Sequence, residues 1–254
     1  MTPSPTRQTL SALFTSLSGP SSNPRRWTLT RTLRSDNPAD INGELKGTAT
    51  FTPLARQNSA TTTDGAGTGT GTGESREMVY KEEGEMPAVP GSGIPPGLRW
   101  SKKYIWRLSD SRTGTSGDGD NGKGSGGISI WFVKVSNARA KNSSQAQGQD
   151  QEEADYLFHE FEFESNSTSE ETTTPSDTTF VSPPTPPLPS LPSPTTPRTT
   201  TILTARGNHL CINDMYRTAY AFRIRPETGE VVSWASRHVV KGPRKDQDIV
   251  NLYE

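Results

Sequence analysis

The chain has 254 residues, a formal charge of −1 and a pI near 6.3, which leaves no basic footprint for nucleic acid and no polybasic run for an anionic membrane surface. Only 29% of residues are hydrophobic, beside 23 glycines and 21 prolines, an average close to that of disordered chains. The average hides a local contrast: without its biased tracts the chain keeps roughly 150 to 160 residues rich in Trp, Tyr, Phe, Val and Ile, enough for one core of ordinary domain size.

A single cysteine, Cys211, excludes an internal disulfide. The opening run MTPSPTRQTLSALFTSLSGP is too short and too polar in its apolar part for a signal peptide or a membrane span. A reducing cytoplasmic setting, or a nuclear one, is therefore expected, with the sequons at Asn142 and Asn166 silent.

In chain order, Leu10, Leu13, Phe14 and Leu17 recur at helical spacing and stop at Gly19-Pro20, predicting a short amphipathic helix that flanks or plugs a sheet. Trp27 to Leu33 then alternates strictly, and its apolar face of Trp27, Leu29 and Leu33 also carries Arg31. Gly43 to Phe51 places Leu45, Gly47, Ala49 and Phe51 together; the small pair suits a strand bend or the approach of a bulky neighbour. A Thr/Gly/Ala tract that includes GTGTGTG cannot bury enough apolar surface to order itself. Beyond it, Met78, Tyr80 and Glu82 share a face. From Leu98 to Leu108, Leu98, Trp100, Tyr104, Trp106 and Leu108 oppose Arg99, Lys103 and Arg107, so the two arginines are expected on the solvent side.

The same rhythm continues through Ile128–Val135, Tyr156–Phe163 with His159, Thr204–Cys211, Tyr216–Ile224, Val231–Val240 and Asp248–Tyr253. In Tyr216–Ile224 the parity puts Tyr216, Tyr220, Phe222 and Ile224 on an apolar side and Arg217 and Arg223 on a wet side. Low-complexity inserts fall at 54–76, 109–126, 137–154 and 165–200, where loop closure tolerates added length. About ten strands with no crossover helices argue for antiparallel pairing. A sandwich and an up-and-down barrel both satisfy this, and neighbour-to-neighbour order favours the barrel, which removes exposed edges. The expected fold is thus a single all-β, antiparallel barrel domain over residues 5–254, with a short N-terminal helix and room inside for a ligand.

Leu17…Gly19, Trp27, Gly47-x-Ala49-x-Phe51, Tyr80-x-Glu82-x-Gly84, Arg99 with Tyr104-x-Trp106, Phe158-His159, His209-x-Cys211-x-x-Asp214-x-Tyr216, Trp234 and Gly242-Pro243-x-Lys245-Asp246 follow one another in this order. The pattern resembles the domain of unknown function 6314 family of fungi and bacteria, and it covers the strand segments but none of the inserts. Gln247 departs from it, standing where the family pattern has an aromatic. The resemblance implies a calycin-like barrel similar to lipocalins and fatty-acid-binding proteins, and brings no established activity.

His209 and Cys211 lie two apart on one strand, and Asp214-x-Tyr216 opens the next across a tight turn. With His159 they form the candidate polar floor of a pocket. The structural alternative has Asp214 capping the turn, Cys211 as a small buried hydrophobe and the histidines bonded to backbone. One His-x-Cys pair falls short of a zinc motif, and a thiol nucleophile would need an activated cysteine that the sequence does not reveal. No cofactor or metal is expected; haem on one histidine is the cofactor chemistry a calycin-like barrel would admit, but nothing selects the histidine. Arg31 and Glu82, each on an apolar face, should meet each other.

Lys241 to Asp246 combines glycine with cations but lacks the helix of a phosphate loop, as does GTGTGTG; the first reads as a turn closing the barrel. The run SPPTPPLPSLPSPTTPR contains Pro-x-x-Pro, so it is a spacer or the ligand of an SH3 or WW partner. Three functions stand. One is a carrier of a small, mainly apolar or amphipathic ligand, bound by Trp27, Arg31, Tyr80, Glu82, Tyr104 and Trp106 from the first half of the chain and by His159, His209, Cys211, Tyr216 and Trp234 from the second. Another is an enzyme using His159 or His209 with Asp214 or Tyr216 for acid–base chemistry. The last is a scaffold whose interior is full.

Overall fold

The computed structural model describes residues 5–20, 22–37, 40–54, 76–86, 97–109, 127–135, 152–164, 181–189, 199–243 and 245–254. The sequons and GTGTGTG lie outside these residues.

One helix and eleven strands follow the order α1 (Arg7–Ser18), β1 (Arg26–Ser35), β2 (Gly43–Pro53), β3 (Arg76–Glu85), β4 (Arg99–Leu108), β5 (Ile128–Val133), β6 (Ala154–Glu160), β7 (Glu162–Phe163), β8 (Thr201–Cys211), β9 (Asp214–Ile224), β10 (Val231–Lys241) and β11 (Asp246–Tyr253). All pairings are antiparallel and sequential, with β1 also pairing β11. The sheet therefore begins and ends in one segment. β6 pairs with β5 and the adjoining β7 pairs with β8, so residues 154–163 bring the two edges together in a nearly closed barrel. Sequence periodicity treats this segment as one strand. The structure breaks it at Phe161, whose N–H reaches back to the Ile128 carbonyl at 2.8 Å.

α1 closes one end. Thr6 caps it by accepting from the Thr9 amide at 3.2 Å, and Gly19 ends it with φ +69°, a left-handed conformation that glycine adopts without a Cβ penalty. Its apolar stripe of Leu10, Leu13, Phe14 and Leu17 is buried against the strand ends. Polar groups fix the contact: the Trp27 indole donates to the Leu17 carbonyl at 3.0 Å, and Ser16 Oγ accepts from the Val231 amide at 3.0 Å.

The period-two alternation sends Trp27, Phe51, Met78, Trp106, Phe222 and Trp234 inward as one core. Gly47 and Gly84 are Cα partners, and Gly84 faces Trp100 across the next pair. A Cβ at Gly84 would lie 2.7 Å from Trp100 Cζ2, and one at Gly47 would lie 3.0 Å from it. The bulky neighbour anticipated for the small residues of β2 is thus Trp100. Arg99 and Arg107 face outward as parity predicts, Arg107 donating to Glu77 at 2.6 Å and lying over Trp131.

Arg223 faces outward too, but it is not on a wet surface. It is only 8% exposed, because residues 181–189 of the proline-rich run lie against it. Its guanidinium donates to the carbonyls of Pro186 and Pro187, both at 3.1 Å, and Ser233 Oγ donates to Pro187 at 2.5 Å. Tertiary contact here overrides the parity that placed Arg223 on a wet side. The rest of that run, 190–198, lies outside the described residues.

Candidate functional site

Below the open end, opposite α1, the barrel encloses a cavity of about 360 Å³. All six tyrosines of the chain line it: Tyr80, Tyr104, Tyr156, Tyr216, Tyr220 and Tyr253. They come from β3, β4, β6, β9 and β11, five of the eleven strands.

One hydrogen-bonded network crosses this cavity. Arg31 donates through Nη2 to Glu82 Oε2 at 2.5 Å and through Nε to Asn251 Oδ1 at 2.6 Å. Tyr80 and Tyr253 both reach Glu82 Oε1, at 2.5 and 3.0 Å. Asn251 Nδ2 donates to Ser236 Oγ at 2.9 Å, and Ser236 meets His238 Nε2 at 3.1 Å. Stacking aims the parts: the Tyr253 ring lies on Trp234 with centroids 3.5 Å apart and planes 2° apart, while the Arg31 guanidinium sits 4.9 Å over Trp100. Burial alone would raise the Glu82 carboxyl pKa. Arg31, then Lys102, then hydrogen bonds from Tyr80 and Arg31 outweigh burial and hold it below the ordinary value.

The expected Arg31–Glu82 meeting is therefore present. Tyr104, Trp106, Cys211, Tyr216 and Trp234 also line the cavity, with Arg31, Tyr80 and Glu82. Burial, with the Glu82 charge next, pushes the Tyr104 hydroxyl up to about 12, so it stays protonated.

Trp27, His159 and His209 fall elsewhere. Trp27 is fully buried under α1, edge-on to Trp234. A register shift between β5 and β6 turns Phe158 and His159 both inward, His159 into the seam against Gly207. There its Nε2 bonds the Tyr220 hydroxyl at 3.0 Å, its Nδ1 has no partner, and burial takes its pKa down to about 3, helped by His238 and His209. His209 packs among the rings of Phe132, Phe158 and Tyr216. Asp214 pairs with Lys245 at 3.0 Å, and Lys245 also donates to the Tyr216 hydroxyl at 2.8 Å; those bonds raise the lysine pKa, Tyr216 first and Asp214 second. Asp214 and Tyr216 are thus joined by a cation from the β10–β11 turn. Gln247 lines the cavity and donates to Asp40 at 2.9 Å.

Network or mouth residues absent from the sequence-based set include Lys102, Ser236, His238, Asn251 and Tyr253. Parity carried the signal for each. Lys102 shares its face with Tyr104 and Trp106, Ser236 and His238 share theirs with Trp234, and Asn251 lies two from Tyr253. Burial first, and then Lys102 and Arg31, lower the His238 pKa to about 3 and keep the ring neutral. Lys102 stands opposite Glu82 in the β3–β4 register. It stays accessible through the mouth while protein surrounds it on its other sides, and burial and then Arg31 lower its pKa against the pull of Glu82.

Residues 193–254 match the model of a family described as a family of unknown function, DUF6314. The matched segment contains β8 to β11, and so supplies Cys211, Tyr216, Tyr220, Trp234, Ser236, His238, Asn251 and Tyr253 to the cavity. Arg31, Tyr80, Glu82 and Lys102 come from strands before the matched segment. No curated protein and no solved structure matches the chain. Among the described residues no cluster of three or more His, Cys, Asp or Glu is placed to hold a metal, and no helix is long and apolar enough to cross a membrane.

Proposed function

We propose that this protein is a non-enzymatic carrier, calycin-like in kind, that holds a small, mainly apolar ligand inside its barrel. The cavity carries this reading. At about 360 Å³ it falls in the lower part of the range of small-molecule pockets, ~300–1,000 Å³, and it combines an aromatic wall with a few convergent polar groups. A scaffold role fits less well with so much interior space left between side chains that otherwise pack closely.

The acid–base reading draws less support. His159 is bonded to Tyr220 in the seam and Asp214 to Lys245, so these two are engaged elsewhere, while His209 meets Tyr216 through ring packing. A cytoplasmic setting, as proposed from the single free cysteine, suits an intracellular carrier.

The test is native mass spectrometry of the intact chain purified from its own cells, beside the variant Val240→Phe, which places a ring at the cavity wall. A bound small molecule on the wild type, reduced or lost on V240F, is the expected result. Bare polypeptide, with no thermal shift across a panel of lipids and haem, overturns the carrier.

A further inference from the structure

The hydrogen-bonding groups of the cavity are unbalanced toward donors. Both oxygens of Glu82 are taken, one by Tyr80 and Tyr253 and the other by Arg31. Asn251 Oδ1 accepts from Arg31, and Ser236 Oγ accepts from Asn251. On the donor side, Arg31 uses Nε and Nη2 in these bonds and keeps Nη1. The indole N–H groups of Trp106 and Trp234, two cavity-lining residues each 1% exposed, are buried without a partner. Buried donors without acceptors are costly, and a ligand that supplies oxygen atoms relieves that cost.

Charge points the same way. Three charged side chains line the cavity: Arg31, Glu82 and Lys102. Arg31 and Glu82 cancel in their ion pair. His238 is the other titratable cation-former facing them. It is buried within the network and bonded to Ser236, an environment that favours the neutral ring. One positive charge is left, on Lys102, which forms no ion pair among the described residues. By contrast its outward-facing neighbour Lys103 is paired with Glu152.

We infer that the ligand is an amphipathic monoanion, its carboxylate seated at Lys102 near the mouth and its apolar body among the tyrosine and tryptophan rings below. This rests on the carrier reading and specifies its ligand class. The anion meets Lys102 first, at the open end, and the chain behind it runs toward the floor made by Trp106 and Trp234. Glu82 does not repel it, because three donors already cover that carboxylate.

The experiment uses three probes of equal chain length, decanoate, decanol and decylamine, titrated into the full chain by calorimetry and by quenching of tryptophan emission. Decanoate should bind about tenfold or more tightly than decanol, the scale of one charge-assisted hydrogen bond, with decylamine weakest. Lys102→Met should abolish the preference for the acid over the alcohol, and Lys103→Met should retain the wild-type order. Equal affinity of the wild type for acid and alcohol overturns the inference and leaves the carrier standing, as does a preference that survives in K102M. No binding of any of the three overturns the carrier reading together with it.

Discussion

Arg31 Nη2 and Glu82 Oε2 stand 2.5 Å apart inside the barrel wall, with each side chain 5% exposed. The two come from β1 and β3, which are not neighbours in the sheet, so their bond spans β2. Small residues make the span practicable: Gly47 and Gly84 give Trp100 room to lie over the Arg31 guanidinium. Removing one partner of such a pair leaves a desolvated charge, whereas removing both leaves polar or apolar groups of similar size.

Glu82→Gln should therefore destabilise the fold by about 3–5 kcal/mol in urea denaturation, and the double variant Arg31→Met/Glu82→Gln should recover most of that loss. A double variant as unstable as the sum of the two single ones would contradict the pairing.

Stability should decline in acid in two successive stages. His159 and His238 have folded pKa values near 3 against an ordinary 6.5. The unfolded chain therefore binds their protons first, and their contribution, complete above pH 6.5, is lost as pH falls toward 3. Each histidine adds a slope of up to about 1.4 kcal/mol per pH unit in that window. Glu82, with a folded pKa depressed below 4.5, contributes stability that is present above that value and disappears only as pH falls through its lower folded pKa. Urea melts between pH 7 and 4 should steepen below 6.5, and His159→Phe should flatten the curve by about one proton's worth. An unchanged slope in H159F would place the imidazole in contact with water.

Gly84→Ala should cost about 1–3 kcal/mol, the usual scale of overpacking. The added Cβ would meet the Lys46 carbonyl and lie 2.7 Å from Trp100 Cζ2, and neither a strand backbone nor a packed indole yields easily. Melting of G84A at the wild-type temperature would show that the recess is larger than described.

Arg223→Ala should release the segment 181–189. The substitution removes its two hydrogen bonds to the Pro186 and Pro187 carbonyls and, among the described residues, leaves the bond from Ser233 to Pro187. Cleavage within 181–189 by a broad-specificity protease, mapped by mass spectrometry, should accelerate while the barrel strands stay intact. An SH3 or WW domain that reads this stretch would meet carbonyls already bonded, so R223A should also bind such a domain more tightly. No change in cleavage would mean that other contacts hold the segment.

Much of the barrel was legible beforehand because a strand exposes its side chains with period two, and strands without crossover helices pair antiparallel with their sequence neighbours across short turns and long inserts alike. That reasoning sufficed for the inward Arg31 and Glu82, the outward Arg99 and Arg107, and the helix of Leu10 to Leu17. It could not say which inward residues meet. Contacts around a barrel depend on how far each strand is staggered against the next, so His238, Ser236 and Asn251 joined Arg31 only once β1, β10 and β11 were in register. A bulge, invisible to periodicity, turned Phe158 and His159 inward together and put the histidine in the seam. The choice of barrel end for α1 separated Trp27, beneath the plug, from Trp106 and Trp234, which border the cavity. Alternation is a property of one strand; stagger, bulges and the seating of a helix belong to the whole closed sheet, and they decided where the site lies.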